Sequence, residues 1–436
     1  MAKFPNPCIV VPGITASNLL DEYELPHQTI WSVVTRDYER ASLHPDNLDL
    51  EAVEPSRITA GQIFELAYKE LVLELRYNLR SKETEPVPVF PFGYDWRKPI
   101  IQSAELLERF IDEVIARTKL LRHYDRDGYG DEPRVNLIGH SMGGLVIAEY
   151  LAKAGRDHKI GKVATLATPF RGSFEAVTKL TTGTANLGAR EPSSREREAA
   201  RITPALYQLL PSLDGTVTGP NGEALSLLDI ETWQPSILDT LRSYVQEKGL
   251  NRKKPGDQAT ELLTSLLQTA AEHRARVDNL SLAKSKFRAE DWLCVVGAGS
   301  PTRVRLAVTG SGRARQFRFS DEQIENQWEA ADADQQISSG DGTVPLAAAV
   351  PRFLPRTSIV CVTSGQFGTW EIQDRLTSSI AGFHAILANM DMLHRLIVCH
   401  FKGSSAKGLN ISGYPLPGVS GARWSPPVAD IECLRP

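Results

Sequence analysis

Three polar residues in glycine-bounded settings occur in the order serine, aspartate, histidine: Gly139-His140-Ser141-Met142-Gly143, Gly340-Asp341-Gly342 and Gly382-Phe383-His384. A serine hydroxyl is a weak nucleophile. It becomes a useful one beside an imidazole base whose tautomer is held by a carboxylate. The chemistry of such a trio would be acyl transfer, with Ser141 attacking an ester carbonyl, His384 moving the proton and Asp341 orienting the ring. Gly-x-Ser-x-Gly is the pattern of a nucleophile elbow, a strand-to-helix turn that lifts the hydroxyl above a sheet edge. The bare pattern arises by chance roughly 0.15 times in a chain of this length, so its surroundings carry the reading. Before it, Val135, Leu137 and Ile138 suit a buried strand; after it, Leu145, Val146, Ile147, Tyr150 and Leu151 continue as one helix face.

Asp341 is expected on a turn ahead of the extended Thr343-Val344-Pro345, and His384 just ahead of a helix-like pattern over 385–396. The competing residues read as structural. Asp332 and Asp334 fall in a polar Ala/Asp/Gln loop, and His394 and His400 lie within or just after the helix, where histidines pack. His140 belongs to the elbow and is expected to have a structural part. Charge developing on a carbonyl oxygen needs backbone N–H donors. One is expected from Met142; the other from Pro12-Gly13-Ile14-Thr15, with Ile14 the first choice and Thr15 the alternative. No cofactor or metal is expected: serine chemistry requires none, zinc-type Cys/His spacings are missing, and no glycine-rich loop carries the Lys-Ser/Thr of a phosphate-binding loop.

The elements that must position these groups alternate along the chain. Strand-like runs fall at 8–12, 86–92, 134–139, 162–168, 291–297, 303–309 and 357–363. Helical spacing separates several of them: Ile63, Leu66, Ala67, Leu71 and Leu75, then Leu106, Leu107, Phe110, Ile111, Val114 and Ile115. That alternation predicts an α/β fold with a mainly parallel central sheet flanked by helices. Residues 171–290 lack strand signals, and helical patterns recur near 236–248 and 258–275, so they are expected to form a mainly helical cap insertion. The charge run at 195–198, within Arg190–Glu198, reads as a solvated helix face. The expected layout is a core over 1–170 with a lid-like insertion at about 20–60, the cap over 171–290, the rest of the core over 291–402 and an extended tail over 403–436.

Of the 436 residues 42% are hydrophobic and 23% charged, an ordinary globular balance, and the net charge of −4 provides no general drive toward nucleic acid. No apolar run approaches the ~18 residues needed to span a bilayer, and Met1–Pro7 leaves no room for a signal helix before the strand-like Cys8–Pro12. The five cysteines, Cys8, Cys294, Cys361, Cys399 and Cys433, are scattered with no CxxC spacing. They read as reduced core residues of a cytoplasmic protein.

With these motifs in place the chain resembles the lecithin:cholesterol acyltransferase and lysosomal phospholipase A2 group of α/β-hydrolases. The resemblance rests on Val11-Pro12-Gly13-Ile14, Phe92-Gly93-Tyr94-Asp95-Trp96-Arg97, the elbow, Ala167–Ser173, Pro204–Pro211, Val296–Thr302, Gly340–Val344 and His384, which span about 8–400. It implies a serine lipase or O-acyltransferase that takes the acyl group of a lipid ester, phospholipid first, onto Ser141 and passes it to water or an acceptor alcohol. It also implies transient contact with a membrane surface and a lid and cap guarding the acyl pocket. Thr15, Trp31 and Trp96 are carried as substrate-binding candidates. Trp31 falls where such enzymes have a lipid-facing lid, the alternative being a tryptophan packed under the loop. Asp95, Trp96 and Arg97 read as a pocket wall and ion-pair cluster. The group's animal members have a signal peptide and a disulfide-tied lid, whereas this chain has no cysteine between residues 9 and 293.

Two alternatives stand beside that reading. One is a carboxylesterase or lipase for neutral or small esters. The other is a partner-gated effector, or an interaction scaffold on a hydrolase fold, with a protein partner.

Overall fold

The structure, a computed structural model, describes residues 4–32, 35–183, 194–250, 254–319, 339–368, 371 and 382–434. Its central sheet contains β1 (Cys8–Val11), β2 (Val89–Pro91), β3 (Val135–His140), β4 (Ile160–Leu166), β5 (Trp292–Ala298) and β6 (Val360–Thr363), in the order β6-β5-β4-β3-β1-β2. Every neighbouring pair is parallel. Helices follow in chain order as α1 (Glu65–Leu79), α2 (Ile100–Lys119), α3 (Met142–Ala154), α4 (Phe174–Thr182), α5 (Ser194–Arg201), α6 (Pro204–Gln208), α7 (Pro235–Lys248), α8 (Pro255–Asp278), α9 (Phe383–Ile386) and α10 (Asp391–Lys402).

The strands alternate faces with period two, and both faces are apolar because both are covered. Ile9, Val11, Leu137, Val163, Cys294 and Val296 pack in one core with the inner faces of α2, α3 and α8. Cys8, Val10, Ile138, Ala164, Leu293 and Val295 pack in the other, against α1 and α10. Together with the all-parallel order, this is the α/β architecture the sequence alternation predicts.

Several expectations need correction. The run at 303–309 is not in the central sheet: Leu306–Thr309 pairs with Val217–Thr218 and Gln316–Phe319 in a separate three-stranded sheet. Its alternating burial suits a sheet with one dry face, whereas the central strands are buried on both. Ile63 ends a strand, Ile58–Ile63, and Leu66 is 59% exposed; the buried stripe of α1 runs through Ala67, Tyr68, Leu71, Val72, Leu75 and Leu79. The helical pattern after His384 breaks between α9 and α10. Within the 195–198 run Glu196 turns inward to pair with Lys179, while Arg195 pairs outside with Glu39 at 2.6 Å. Residues 190–193 of the polar stretch 190–198, and Asp332 and Asp334, lie outside the described residues. Of the cysteines, Cys8, Cys294, Cys361 and Cys399 are buried free thiols, but Cys433 is exposed.

The stretch between β4 and β5 carries α4 to α8. Of these, α8 runs along α3, where Arg276 Nε–H donates to Glu149 Oε1 at 2.7 Å. Between β1 and α1 the chain forms an antiparallel sheet of Gln28–Trp31, Ser17–Asp21 and Ile58–Ile63 and a small pair, Leu43–His44 with Asn47–Glu51. Beyond α10, Tyr414 exchanges backbone hydrogen bonds with Cys361 at 2.9 Å each, which closes the open edge of β6. Among the described residues no helix is long and apolar enough to cross a membrane.

Candidate active site

The site is built on the stretches that follow the carboxyl ends of β1, β3, β5 and β6, where parallel sheets offer unpaired backbone and room for a ligand. The elbow is the tightest of them. Ser141 stands between β3 and α3 at φ 53° and ψ −127°, a backbone state a non-glycine residue adopts only when its surroundings enforce it. Those surroundings are close approaches. A β-carbon on Gly139 would fall 2.7 Å from Gly144 Cα, and one on Gly144 would fall 1.9 Å from Thr168 Oγ1.

Opposite the elbow, His384 sits in α9 behind Gly382, whose φ of 86° favours glycine. Its Nε2 lies 2.9 Å from Ser141 Oγ and its Nδ1 2.7 Å from Asp341 Oδ2. The acidic partner fixes the tautomer: Nδ1–H donates to the carboxylate, leaving Nε2 to accept from the hydroxyl. The other carboxylate oxygen, Asp341 Oδ1, accepts from the N–H groups of Thr343 at 2.9 Å and Val344 at 2.7 Å. The His384 N–H also donates to the Asp341 carbonyl at 3.1 Å. Ser141, Asp341 and His384 are all buried. The stretch 296–302 seats the aspartate: a β-carbon on Gly297 would fall 2.5 Å from Asp341 Cβ, and Thr302 Oγ1 accepts from Gly342 N–H at 2.9 Å.

After β1, the peptide between Pro12 and Gly13 is held at both ends. Tyr94 Oη–H donates to the Pro12 carbonyl at 2.8 Å, and the Gly13 N–H donates to Tyr68 Oη at 3.0 Å. Gly13 packs against Ser141, with a β-carbon there falling 3.0 Å from Ser141 Cβ. Thr15 has φ 62°. Among the described residues, the N–H groups of Ile14 and Met142 donate to no other group. Thr15 instead uses its hydroxyl on the Ile14 carbonyl at 2.6 Å.

Trp31 occupies the packed alternative. It is buried with ring centroids 4.9 Å from Trp96 and 5.0 Å from Tyr38, and its Nε1–H donates to the Thr15 carbonyl at 3.4 Å. Trp96 Nε1–H donates to the Ser17 carbonyl at 3.2 Å, so both indoles support the backbone that follows β1. Arg97 is gripped by Asp95 and by Glu51, with Nη1 2.7 Å from Glu51 Oε2 and Nη2 2.7 Å from Asp95 Oδ2, and it donates to the Ala41 carbonyl. Burial alone would lower the guanidinium's pKa, but the two carboxylates raise it. Arg97 likewise holds the Asp95 carboxyl below its ordinary value despite burial.

Sequence reasoning missed Tyr68, Glu51, Gly297 and Thr302. Gly297 and Thr302 stood in a quoted motif without a role; Tyr68 and Glu51 sit in ordinary helix and strand patterns with no motif to mark them. Residues 337–338 and 379–381, beside the aspartate and histidine, lie outside the described residues.

The sheet order, the elbow and the loops at the carboxyl edge define an α/β-hydrolase. The family model for lecithin:cholesterol acyltransferase matches residues 78–350, more than half of the chain, and the chain belongs to that family. The matched range holds Ser141 and Asp341; His384 lies beyond it. A solved structure described as "The crystal structure of Tle4-Tli4 complex" is similar with a TM-score of 0.59 and 14% identity, over 92% of this chain and 98% of that one. At that identity the likeness concerns the fold. No curated protein matches.

Proposed function

We propose that this chain is a serine hydrolase or O-acyltransferase of lipid esters, phospholipid first, working through an acyl-Ser141 intermediate. The observation that carries the reading is the unbroken line from Ser141 Oγ to His384 Nε2 at 2.9 Å and from His384 Nδ1 to Asp341 Oδ2 at 2.7 Å. In the reaction, Ser141 Oγ attacks the ester carbonyl carbon while its proton passes to His384 Nε2. Asp341, with Oδ1 occupied by two backbone donors, keeps Oδ2 for the imidazolium. The carbonyl oxygen becomes an oxyanion facing the N–H groups of Met142 and Ile14, which have no other partner among the described residues. The C–O bond to the leaving alcohol breaks as His384 returns the proton to it. Water or an acceptor alcohol then attacks the acyl ester by the same steps in reverse roles.

Family membership supports the lipid ester as substrate. A protein partner is supported by the similar solved structure's being that of a complex. Five free cysteines support a reducing, cytoplasmic setting.

The test is fluorophosphonate labelling of wild type beside Ser141→Ala, followed by an assay of phosphatidylcholine vesicles for released fatty acid. Labelling lost in the mutant, with fatty acid released by wild type, is the expected result. Labelling without vesicle hydrolysis, together with turnover of short p-nitrophenyl esters, would shift the substrate to small esters. No labelling and no ester turnover would leave a scaffold.

A further inference from the structure

Tyr68 projects from α1 into the site and is buried, as is His140 at the end of β3. Tyr68 Oη is 2.7 Å from His140 Nδ1, and His140 Nε2 is 3.0 Å from the carbonyl oxygen of His384. A carbonyl only accepts, so Nε2 carries a proton. Tyr68 Oη already accepts from Gly13 N–H at 3.0 Å, so its own hydrogen is free for the bare Nδ1. The directions are therefore set along the whole line, from Gly13 N–H through the phenol and the imidazole to the His384 backbone.

We propose that Tyr68 and His140 are positioning residues for acyl transfer, because this line ties the oxyanion loop at Gly13 to the backbone of the base at His384 across the nucleophile. The inference rests on the reading of Ser141, Asp341 and His384 given above. The three loops it joins come from distant parts of the chain, and among the described residues the line runs beside the Ser141–His384 bond and the parallel pairing of β1 with β3. Burial, and then the nearby His384, lowers the His140 pKa to about 3, against the opposing bond to the His384 carbonyl. Burial likewise pushes the Tyr68 phenol up. Neither group changes its protonation near neutral pH, so the line is a fixed brace and takes no proton from the reaction. Misplacing a reacting group or donor by about 1 Å costs on the order of 100-fold in rate.

The experiment uses the full chain as wild type, Tyr68→Phe, His140→Gln, His140→Leu and Ser141→Ala. The readouts are kcat and KM on p-nitrophenyl butyrate, the fluorophosphonate inactivation rate, and thermal melting. Tyr68→Phe removes one hydroxyl and is expected to lower kcat roughly 10–100-fold with KM nearly unchanged, and to slow inactivation in parallel. His140→Gln keeps an N–H near the Nε2 position and is expected to retain clearly more kcat than His140→Leu at similar melting temperature. A role in packing alone would not produce that rescue. Tyr68→Phe and His140→Leu turning over within about twofold of wild type would overturn the proposal. Equal loss in His140→Gln and His140→Leu, both folded, would overturn the bond to His384 as its basis. If Tyr68→Phe does not fold, the His140 pair decides. No Ser141-dependent turnover in wild type would instead sink the underlying triad reading.

Discussion

A β-carbon on Gly143 would fall 2.1 Å from the carbonyl oxygen of Val11, so the first turn of α3 rests directly on the end of β1. Backbone cannot yield as a side-chain tip can. Gly143→Ala is expected to destabilise the fold by about 1–3 kcal/mol through overpacking. Esterase turnover should fall further than stability, because the Met142 N–H moves with the helix. Urea unfolding beside kcat measures both, and an unaltered midpoint would mean that the first turn of α3 does not bear on β1 at Gly143.

Asp341→Asn should leave the turn intact, since an amide oxygen can keep the bonds from Thr343 and Val344 N–H. The amide nitrogen would then face His384 Nδ1 and favour the tautomer with its proton on Nε2, where it cannot accept from Ser141. A fall in kcat of about 10⁴-fold is expected. Steady-state kinetics with a thermal melt checks this; a folded mutant within tenfold of wild type would remove Asp341 from its role.

Arg97→Met leaves Glu51 and Asp95 facing each other without their cation. Removing one partner of a buried pair costs about 3–5 kcal/mol. Because Arg97 also holds the Ala41 carbonyl, the region of residues 41–51 should become more open to protease. Chemical denaturation and limited proteolysis read the two effects, and Arg97→Lys should lie between mutant and wild type.

Buried neutral histidines should make the fold acid-sensitive. Burial lowers the pKa of His140 to about 3 and of His400 to about 4, and lowers those of His158, His273 and His394 as well. Unfolded, each titrates near 6.5. The unfolded chain therefore binds more protons below that pH, and stability falls as the pH drops from about 6.5 toward 4. His140 and His400 together should contribute roughly 2–3 kcal/mol per pH unit between pH 5.5 and 4.5. Denaturation midpoints at pH 7, 5.5 and 4.5 test the sign, and His400→Gln should flatten the slope.

Much of the site could be read from the chain because its signals are local. The elbow is one contiguous run in which a buried strand, a strained serine, three glycines and an apolar helix succeed one another. Asp341 and His384 stand out by their glycine-bounded turns and by their order. The central strands are legible because strands buried on both faces must be apolar throughout, and Leu306–Thr309 misled because Leu-Ala-Val is apolar too, while the alternating burial that marks a peripheral sheet is seen only in the fold.

What the sequence by itself determined, then, is the set of elements and the residues with chemical means. Tertiary structure alone decided which polar groups meet. A tyrosine on a helix stripe, such as Tyr68, looks like any core aromatic until its hydroxyl is found 2.7 Å from a ring 72 positions away. Glu51 looks like a surface acid until Arg97, 46 positions on, covers it. Trp31 could as well have faced lipid as Trp96. Burial makes an unpaired polar atom costly, so such pairings are specific, but the partner's address is written in the packing of distant elements and in no local pattern.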